Sequence, residues 1–199
     1  RMLIATGESD PGARNPSGAT ALGFACMHKN FDIISALLAT GKSNPGAKNS
    51  FGQTVLMYAC EYGLNDIARM LIATGESDPG ARNPSGFTAL TYACHLSALG
   101  VVSALLATGK SNPNVKDKLY GYTALIIASC KRQNKGLPIV QALIASGECD
   151  YGITCKKGRT ALIWACEGSN ADVALALIAT GKYDLDCQDK YGKTALCYA

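Results

Sequence analysis

Gly52-Gln-Thr-Val-Leu-Met-Tyr-Ala-Cys-Glu-Tyr-Gly-Leu-Asn-Asp-Ile-Ala-Arg-Met-Leu-Ile-Ala-Thr-Gly75 is the stretch that decides the fold. From Val55 to about Tyr62 apolar residues stand at helical spacing, at Leu56, Ala59 and Cys60. Gly63 and Leu64 break that pattern. Asp66 then opens a second helix, where a carboxylate suits the positive end of the helix dipole. Ile67, Leu71 and Ile72 form its apolar stripe. Gly75 stops it, because glycine takes the left-handed conformation of a C-terminal cap without strain. The next residues, Glu76-Ser-Asp-Pro-Gly-Ala-Arg-Asn-Pro-Ser-Gly86, are rich in turn formers. The unit is helix, tight turn, helix, long loop.

The unit recurs. A Thr followed by Ala (once Val) and Leu stands at Thr20, Thr54, Thr88, Thr123, Thr160 and Thr194, with spacings of 34, 34, 35, 37 and 34. Such a period marks a stacked repeat architecture. Two short helices cannot bury both faces alone, so each unit leans on its neighbours and the stack shares one core. Residues 1–18 are identical to 69–86, and Ala36–Pro45 to Ala104–Pro113, both at an offset of 68. A duplicated two-unit block accounts for this, so the identity reports descent rather than function. The array divides into a partial unit at 1–18, full units at 19–52, 53–86, 87–121, 122–158 and 159–192, and a partial unit at 193–199. It opens with Arg1 inside a second helix and closes inside a first helix, so flanking sequence with polar capping repeats is expected.

The repeated text Gly-x-Thr-Ala-Leu-x-x-Ala-Cys, then Asp-Ile (or Val), then Leu-Ile-Ala-Thr-Gly, resembles the ankyrin repeat over the full length of the chain. Several positions depart from that family's pattern. Ala or Val stands at 21, 55, 89, 124, 161 and 195 where the family often has Pro. Gly23, Met57, Thr91, Ile126, Ile163 and Cys197 replace its frequent His, and the loop after the capping Gly is one residue longer. The Ala-Thr-Gly-Lys-Ser-Asn-Pro variant also resembles ankyrin arrays of large DNA viruses of amoebae. The resemblance implies an all-α, helix-turn-helix solenoid with projecting finger loops, and a non-catalytic, cytoplasmic module that binds another protein. It also implies that the partner lies against the fingers and the concave first-helix face.

Carried over by position, the finger residues are Phe51, Gln53, Phe87, Leu119, Tyr120, Tyr122, Lys156, Lys157, Arg159, Lys190, Tyr191 and Lys193. First-helix positions seven or eight after Thr are Met27, His28, Glu61, Tyr62, His95, Leu96, Lys131, Glu167 and Gly168. Aromatics and Arg are enriched in binding hot spots. Phe51, Tyr62, Phe87, Leu96, Tyr120, Tyr122, Lys156, Lys157, Arg159 and Tyr191 are therefore the expected partner-binding residues. The competing reading is a set of scattered, solvated side chains. Other uses stay open at this point: a substrate-recruiting arm of a larger enzyme or of a ubiquitin-ligase adaptor, a passive spacer, or a nucleic-acid binder.

Composition narrows these classes. Hydrophobic residues make up 48% and charged residues 17%, against roughly 25% charged in an average domain, which excludes disorder. No apolar run approaches the roughly 18 residues of a membrane-spanning helix, and no secretory signal is visible. The net charge of +4 is too mild to imply nucleic acid by itself. It is uneven, with seven basic and seven acidic residues in 1–100 but twelve against eight in 101–199. An acidic patch on the partner is the natural complement of that basic half.

The chemistry-bearing residues point away from catalysis, metal and cofactor. Cys26, Cys60, Cys94 and Cys166 stand six residues after the repeat Thr, with Cys130 seven after Thr123. A buried cysteine behaves as a small apolar residue, and packed neighbouring helices hold equivalent positions about 8–10 Å apart, too far for a disulfide. An odd count at one-repeat spacing argues against a secreted disulfide framework. Cys149 and Cys155 share a loop with no nearby His to complete a zinc set. His28 and His95 fall late in first helices, where surface contact is the expected use. Thr-Gly-Lys-Ser at 40–43 and 108–111 and Gly192-Lys193-Thr194 resemble the tail of a phosphate loop, but Ala36, Ala104 and Cys187 stand where its first Gly belongs. The fourth unit is irregular, with longer stretches at 116–122 and 130–138, where growth marks either a working face or harmless loop extension.

Overall fold

The computed structural model describes residues 10–132 and 135–199. The opening second helix expected at the start of the chain, and Gln133 and Asn134 of the fourth unit's insertion, lie outside the described residues. Among those described, helices come in pairs: α1 (Ala21–Met27) with α2 (Phe31–Ala39), α3 (Val55–Glu61) with α4 (Asn65–Ala73), α5 (Ala89–His95) with α6 (Leu99–Ala107), α7 (Ala124–Ser129) with α8 (Leu137–Ala145), and α9 (Ala161–Glu167) with α10 (Ala171–Ile178). A single 3-10 turn, Ala195–Cys197, stands where a further first helix would begin. The described residues contain an isolated β-bridge, Arg14 to Thr20, and no strand.

The repeat Thr turns out to be the N-cap of each first helix. Thr20, Thr54, Thr88, Thr123 and Thr160 are extended at ψ 164–171, and each side chain accepts a hydrogen bond from the amide three residues on. That satisfies one of the amides a helix start leaves without an intrahelical partner. At Thr88 the cap is reciprocal, because the Thr91 hydroxyl accepts from the Thr88 amide at 2.8 Å. Met57, Ile126 and Ile163 fill the same register with buried apolar side chains. One local device of the unit is thus replaced by packing in three of its copies. Thr88→Ala is expected to lower stability by about 1–2 kcal/mol, the upper part of the range for a cap. A urea titration that found no loss would contradict the reciprocal cap.

The helices that the pattern predicts over Val55 to about Tyr62 and from Asp66 are α3 and α4. Asp66 lies in the first turn of α4 rather than at its cap, which is Leu64. Gly75 has φ +69, as a left-handed stop requires. The Ala-Thr-Gly text has a second function. Thr40, Thr74, Thr108 and Thr180 each turn their hydroxyl back onto the carbonyl three residues earlier, at 2.6–2.8 Å. These hydroxyls terminate helices, and that is the local reason the Thr-Gly-Lys-Ser text is not a phosphate loop.

Packing follows two parallel ladders. Each first helix touches the first helix of the next unit, and from α4 onward each second helix touches the next second helix. The residue two after each Thr shows the logic. Leu22, Leu56, Leu90, Leu125 and Leu162 are all essentially buried. One apolar cluster runs from Leu22 to Ala195, as stacked units that share a core require.

Candidate partner-binding face

Each finger is closed by a backbone bond from its first residue to the residue before Thr: Asn15 to Ala19, Asn49 to Gln53, Asn83 to Phe87, Asp117 to Tyr122, Cys155 to Arg159 and Asp189 to Lys193. The same first residue organises the turn through its side chain. Asn49 Oδ1 accepts from the Phe51 and Gln53 amides, both at 3.0 Å. Asp117 accepts from the Tyr120 and Tyr122 amides, and Asp189 from those of Tyr191 and Lys193. At Cys155 a thiol takes over, accepting from the Lys157 amide at 3.4 Å. Successive fingers are joined by the amides of Ser50, Lys118, Lys156 and Lys190, each donating to a carbonyl of the preceding finger. At the equivalent place in the third finger stands Pro84, which has no amide hydrogen to give.

The residue just before Thr sits at the finger base, where Gln53, Tyr122 and Arg159 reach the next unit and Phe87 packs within its own. Gln53 donates from its amide nitrogen to Glu61 Oε2 at 2.6 Å and to the Tyr92 hydroxyl at 3.4 Å, and Asn83 donates to that hydroxyl at 3.1 Å. Phe87 stacks on Tyr92 with centroids 5.2 Å apart. Tyr122 stacks on Tyr120 at 5.3 Å and meets the edge of Trp164 at 5.6 Å. Arg159 is 6% exposed. Its guanidinium donates to Asp189 at 3.1 Å, to Glu167 at 2.5 Å and to the Tyr198 hydroxyl at 2.8 Å. It also lies 5.0 Å from the Trp164 ring centre and 4.9 Å from that of Tyr198.

Gln53, Tyr58, Glu61, Asn83 and Tyr92 therefore repeat as Arg159, Trp164, Glu167, Asp189 and Tyr198 at a constant offset of 106 residues. The first copy is bridged by neutral amides and the second by a cation. Burial alone would raise the Asp189 carboxyl. Hydrogen bonds from the Tyr198 hydroxyl, the Lys193 and Tyr191 amides and Arg159 outweigh it and hold the group down at about 2.

Outward of the bases, the finger tips are bare. Phe51 is 73% exposed, Tyr191 71% and Tyr120 54%. Between the early fingers and the first helices lies a groove of about 790 Å³, lined among others by Phe24, Met27, Phe51, Tyr58, Glu61 and Tyr62. Tyr58 and Tyr62 stack across one helical turn at 4.4 Å. The described residues thus carry paired helices in register, fingers linked across units and an open flank along the first helices.

The sequence profile described as "Ankyrin repeats (3 copies)" matches residues 1–81, 72–144 and 132–199. The chain belongs to the ankyrin-repeat family. No curated protein matches it. Ankyrin repeats are generally protein–protein interaction modules and typically non-catalytic. Among the described residues, no helix of this ankyrin array is long and apolar enough to cross a membrane.

The ankyrin array separates the expected partner-binding residues into three sets. Phe51, Tyr62, Leu96, Tyr120, Lys156, Lys157 and Tyr191 are exposed. Phe87 and Tyr122 are half-buried at finger bases, where their rings pack on Tyr92 and Trp164. Arg159 is the correction: it is buried, and its guanidinium is committed to Asp189, Glu167 and Tyr198 within the fold. A cation read as a surface group is an internal tie. The groove also contains two aromatic residues outside the expected set. Phe24 and Tyr58 stand four after Thr, one turn before the positions chosen, and residues four apart share a helix face.

The remaining candidates pack. Cys26 and Cys60 are buried and burial pushes both thiols up to about 12, so they stay neutral. Cys94 is raised for the same cause. Cys149 is half-buried, and its thiol hydrogen-bonds the Leu143 carbonyl at 3.5 Å. Among the described residues no His, Cys, Asp and Glu side chains gather into a metal-binding group. His28 is exposed beyond α1, and His95 lies 6.0 Å from Phe87.

Proposed function

We propose that this ankyrin array captures another protein through its finger tips and concave first-helix flank, with basic groups of the last fingers meeting an acidic element of the partner. The observation that carries this reading is the run of bare aromatic side chains along one flank. Phe51, Tyr62, Tyr120 and Tyr191 expose their rings while the units behind them share a closed core. Exposed rings on four of the five full units cost solvation without adding to the stack, and large apolar patches mark interaction surfaces. Lys156, Lys157 and Lys190 stand beside these rings in the last fingers. Lys156 also donates to the Lys118 carbonyl at 2.6 Å, which holds its charge at the finger rim.

The test is affinity capture of the full-length product from its native cell, identification of the partner, and titration of purified variants. Phe51→Ala combined with Tyr62→Ala is expected to weaken capture by about tenfold or more, the effect of losing a hot spot, with the unfolding midpoint held. Arg69→Ala on the exposed side of α4 is expected to leave affinity unchanged. Loss of capture from the Arg69 change alone would overturn the reading.

A further inference from the structure

The two copies of the polar constellation differ in one respect that bears on the partner. In the later copy Glu167 has an arginine of its own chain against it, seated between the Trp164 and Tyr198 rings. In the earlier copy Gln53 takes the arginine's place, and Glu61 receives an amide hydrogen on one oxygen and no cation among the described residues. A carboxylate offers about four acceptor sites on two oxygens, so the chain's own donors take up a small part of that capacity. Glu61 is also the charged side chain in the groove lining, among Phe24, Met27, Phe51, Tyr58 and Tyr62. The cations of the early fingers reach backbone carbonyls: Arg14 that of Lys48, Lys48 that of Arg82, and Arg82 that of Lys116. The groove opens at the finger junction where Pro84 supplies no amide.

We propose that this groove receives a lysine or arginine side chain from an extended segment of the partner, its charged end on Glu61 and its stem against the aromatic wall. The inference rests on the proposed protein-binding function and names the chemistry of the segment bound. The chain itself supplies the precedent, since its own arginine occupies that register three units on. The aliphatic stem of a basic residue suits an apolar wall, and its charge suits a ring face and a carboxylate. The lysines of the last fingers then set the direction of the segment. Three unit spacings of about 8–10 Å separate the two regions, and an extended chain covers about 3.3 Å per residue. The segment therefore carries its basic residue about seven to nine positions from an acidic one.

The probe is a displayed library of random peptides, each long enough to span about ten extended residues. It is panned on the wild-type chain, and the strongest peptide is then titrated as a fluorescent copy. Wild type is expected to enrich a basic residue beside apolar ones. Glu61→Gln, which keeps an acceptor for Gln53, is expected to weaken that peptide by about tenfold or more, the loss of a charge-assisted bond. Gln53→Arg, which supplies the cation from within the chain, is expected to do the same while holding or raising the unfolding midpoint. Replacing the peptide's basic residue by norleucine should cost wild type as much and cost Glu61→Gln little. Enriched peptides without a basic residue, or equal binding to all three proteins, would overturn the inference. If such peptides still lose affinity for Phe51→Ala with Tyr62→Ala, the proposed function stands and this inference alone falls. Peptides insensitive to every groove and finger change, or no enrichment on wild type, would count against both.

Discussion

Leu90→Ala is expected to cost about 3–4 kcal/mol, in the range measured when a buried leucine is cut back and its surroundings only partly collapse. Leu90 is 1% exposed in α5, at the middle of the stack. Leu196 stands at the same register, two after its Thr, and is 84% exposed. Leu196→Ala is therefore expected to change stability by no more than about 0.5 kcal/mol, as for an ordinary surface change. The pair contrasts a leucine covered by neighbouring units in a capped α-helix with one left bare in the terminal 3-10 turn, whose Thr194 makes no side-chain cap. In a quasi-one-dimensional stack the central change should also weaken coupling between halves, so that a urea titration followed at Trp164 departs from one followed by helix content. Equal losses at the two leucines would mean that each unit buries its own apolar face, contrary to the shared core.

Arg159→Ala is expected to destabilise the last described unit by about 3 kcal/mol, the lower end of what removing one partner from a buried ion pair costs. The change strands Asp189, whose side chain is fully covered, and removes the contacts with Trp164 and Tyr198. The loss should be local, because Asp189 and Tyr198 belong to the final segment. Hydrogen exchange at the Tyr191 and Lys193 amides should rise while α3 to α6 keep their protection. The same cluster sets an acid limit. Asp189 is held at about 2 in the folded chain, below the ordinary aspartate value of about 3.9. A depressed folded value means the contribution is fully present above the unfolded value and is lost as pH falls through the folded one. The final segment should therefore stay protected at neutral pH and lose protection between about pH 4 and pH 2. Asp189→Asn should remove that pH dependence. A pH-independent exchange profile in the wild-type chain would contradict this account of the cluster.

Much of the fold can be read from the sequence because it is periodic. The recurring Thr locates each of the five described first helices, and the Leu two residues later lies in the core of all five. What Thr does as a cap follows from its place before an apolar run. The site is less legible, for a physical reason. Whether a finger residue is bare or covered depends on the side chain that the next unit brings against it. Arg159 reads as a surface cation because Asp189 and Tyr198 lie 30 and 39 residues away. Tyr122 reads as a tip, but the Trp164 ring of the next unit covers it, while Phe87 is covered from within its own unit by Tyr92. A signal was present in the alignment of the units, where a polar residue before Thr meets Glu eight residues on in both copies of the constellation. Phe51, Tyr120 and Tyr191 stay bare because the fingers touch one another through backbone, which leaves those side chains outward.

The central claim is that the finger tips and the first-helix flank are the gripping surface and the second helices the back of the array. Hydrogen exchange on the chain alone and with its captured partner tests this directly. Slower exchange with the partner at the finger amides around Phe51, Tyr120, Lys157 and Tyr191, with α4, α6, α8 and α10 unchanged, is the predicted result. Slowing confined to α4, α6, α8 and α10, with the fingers unaffected, would contradict it.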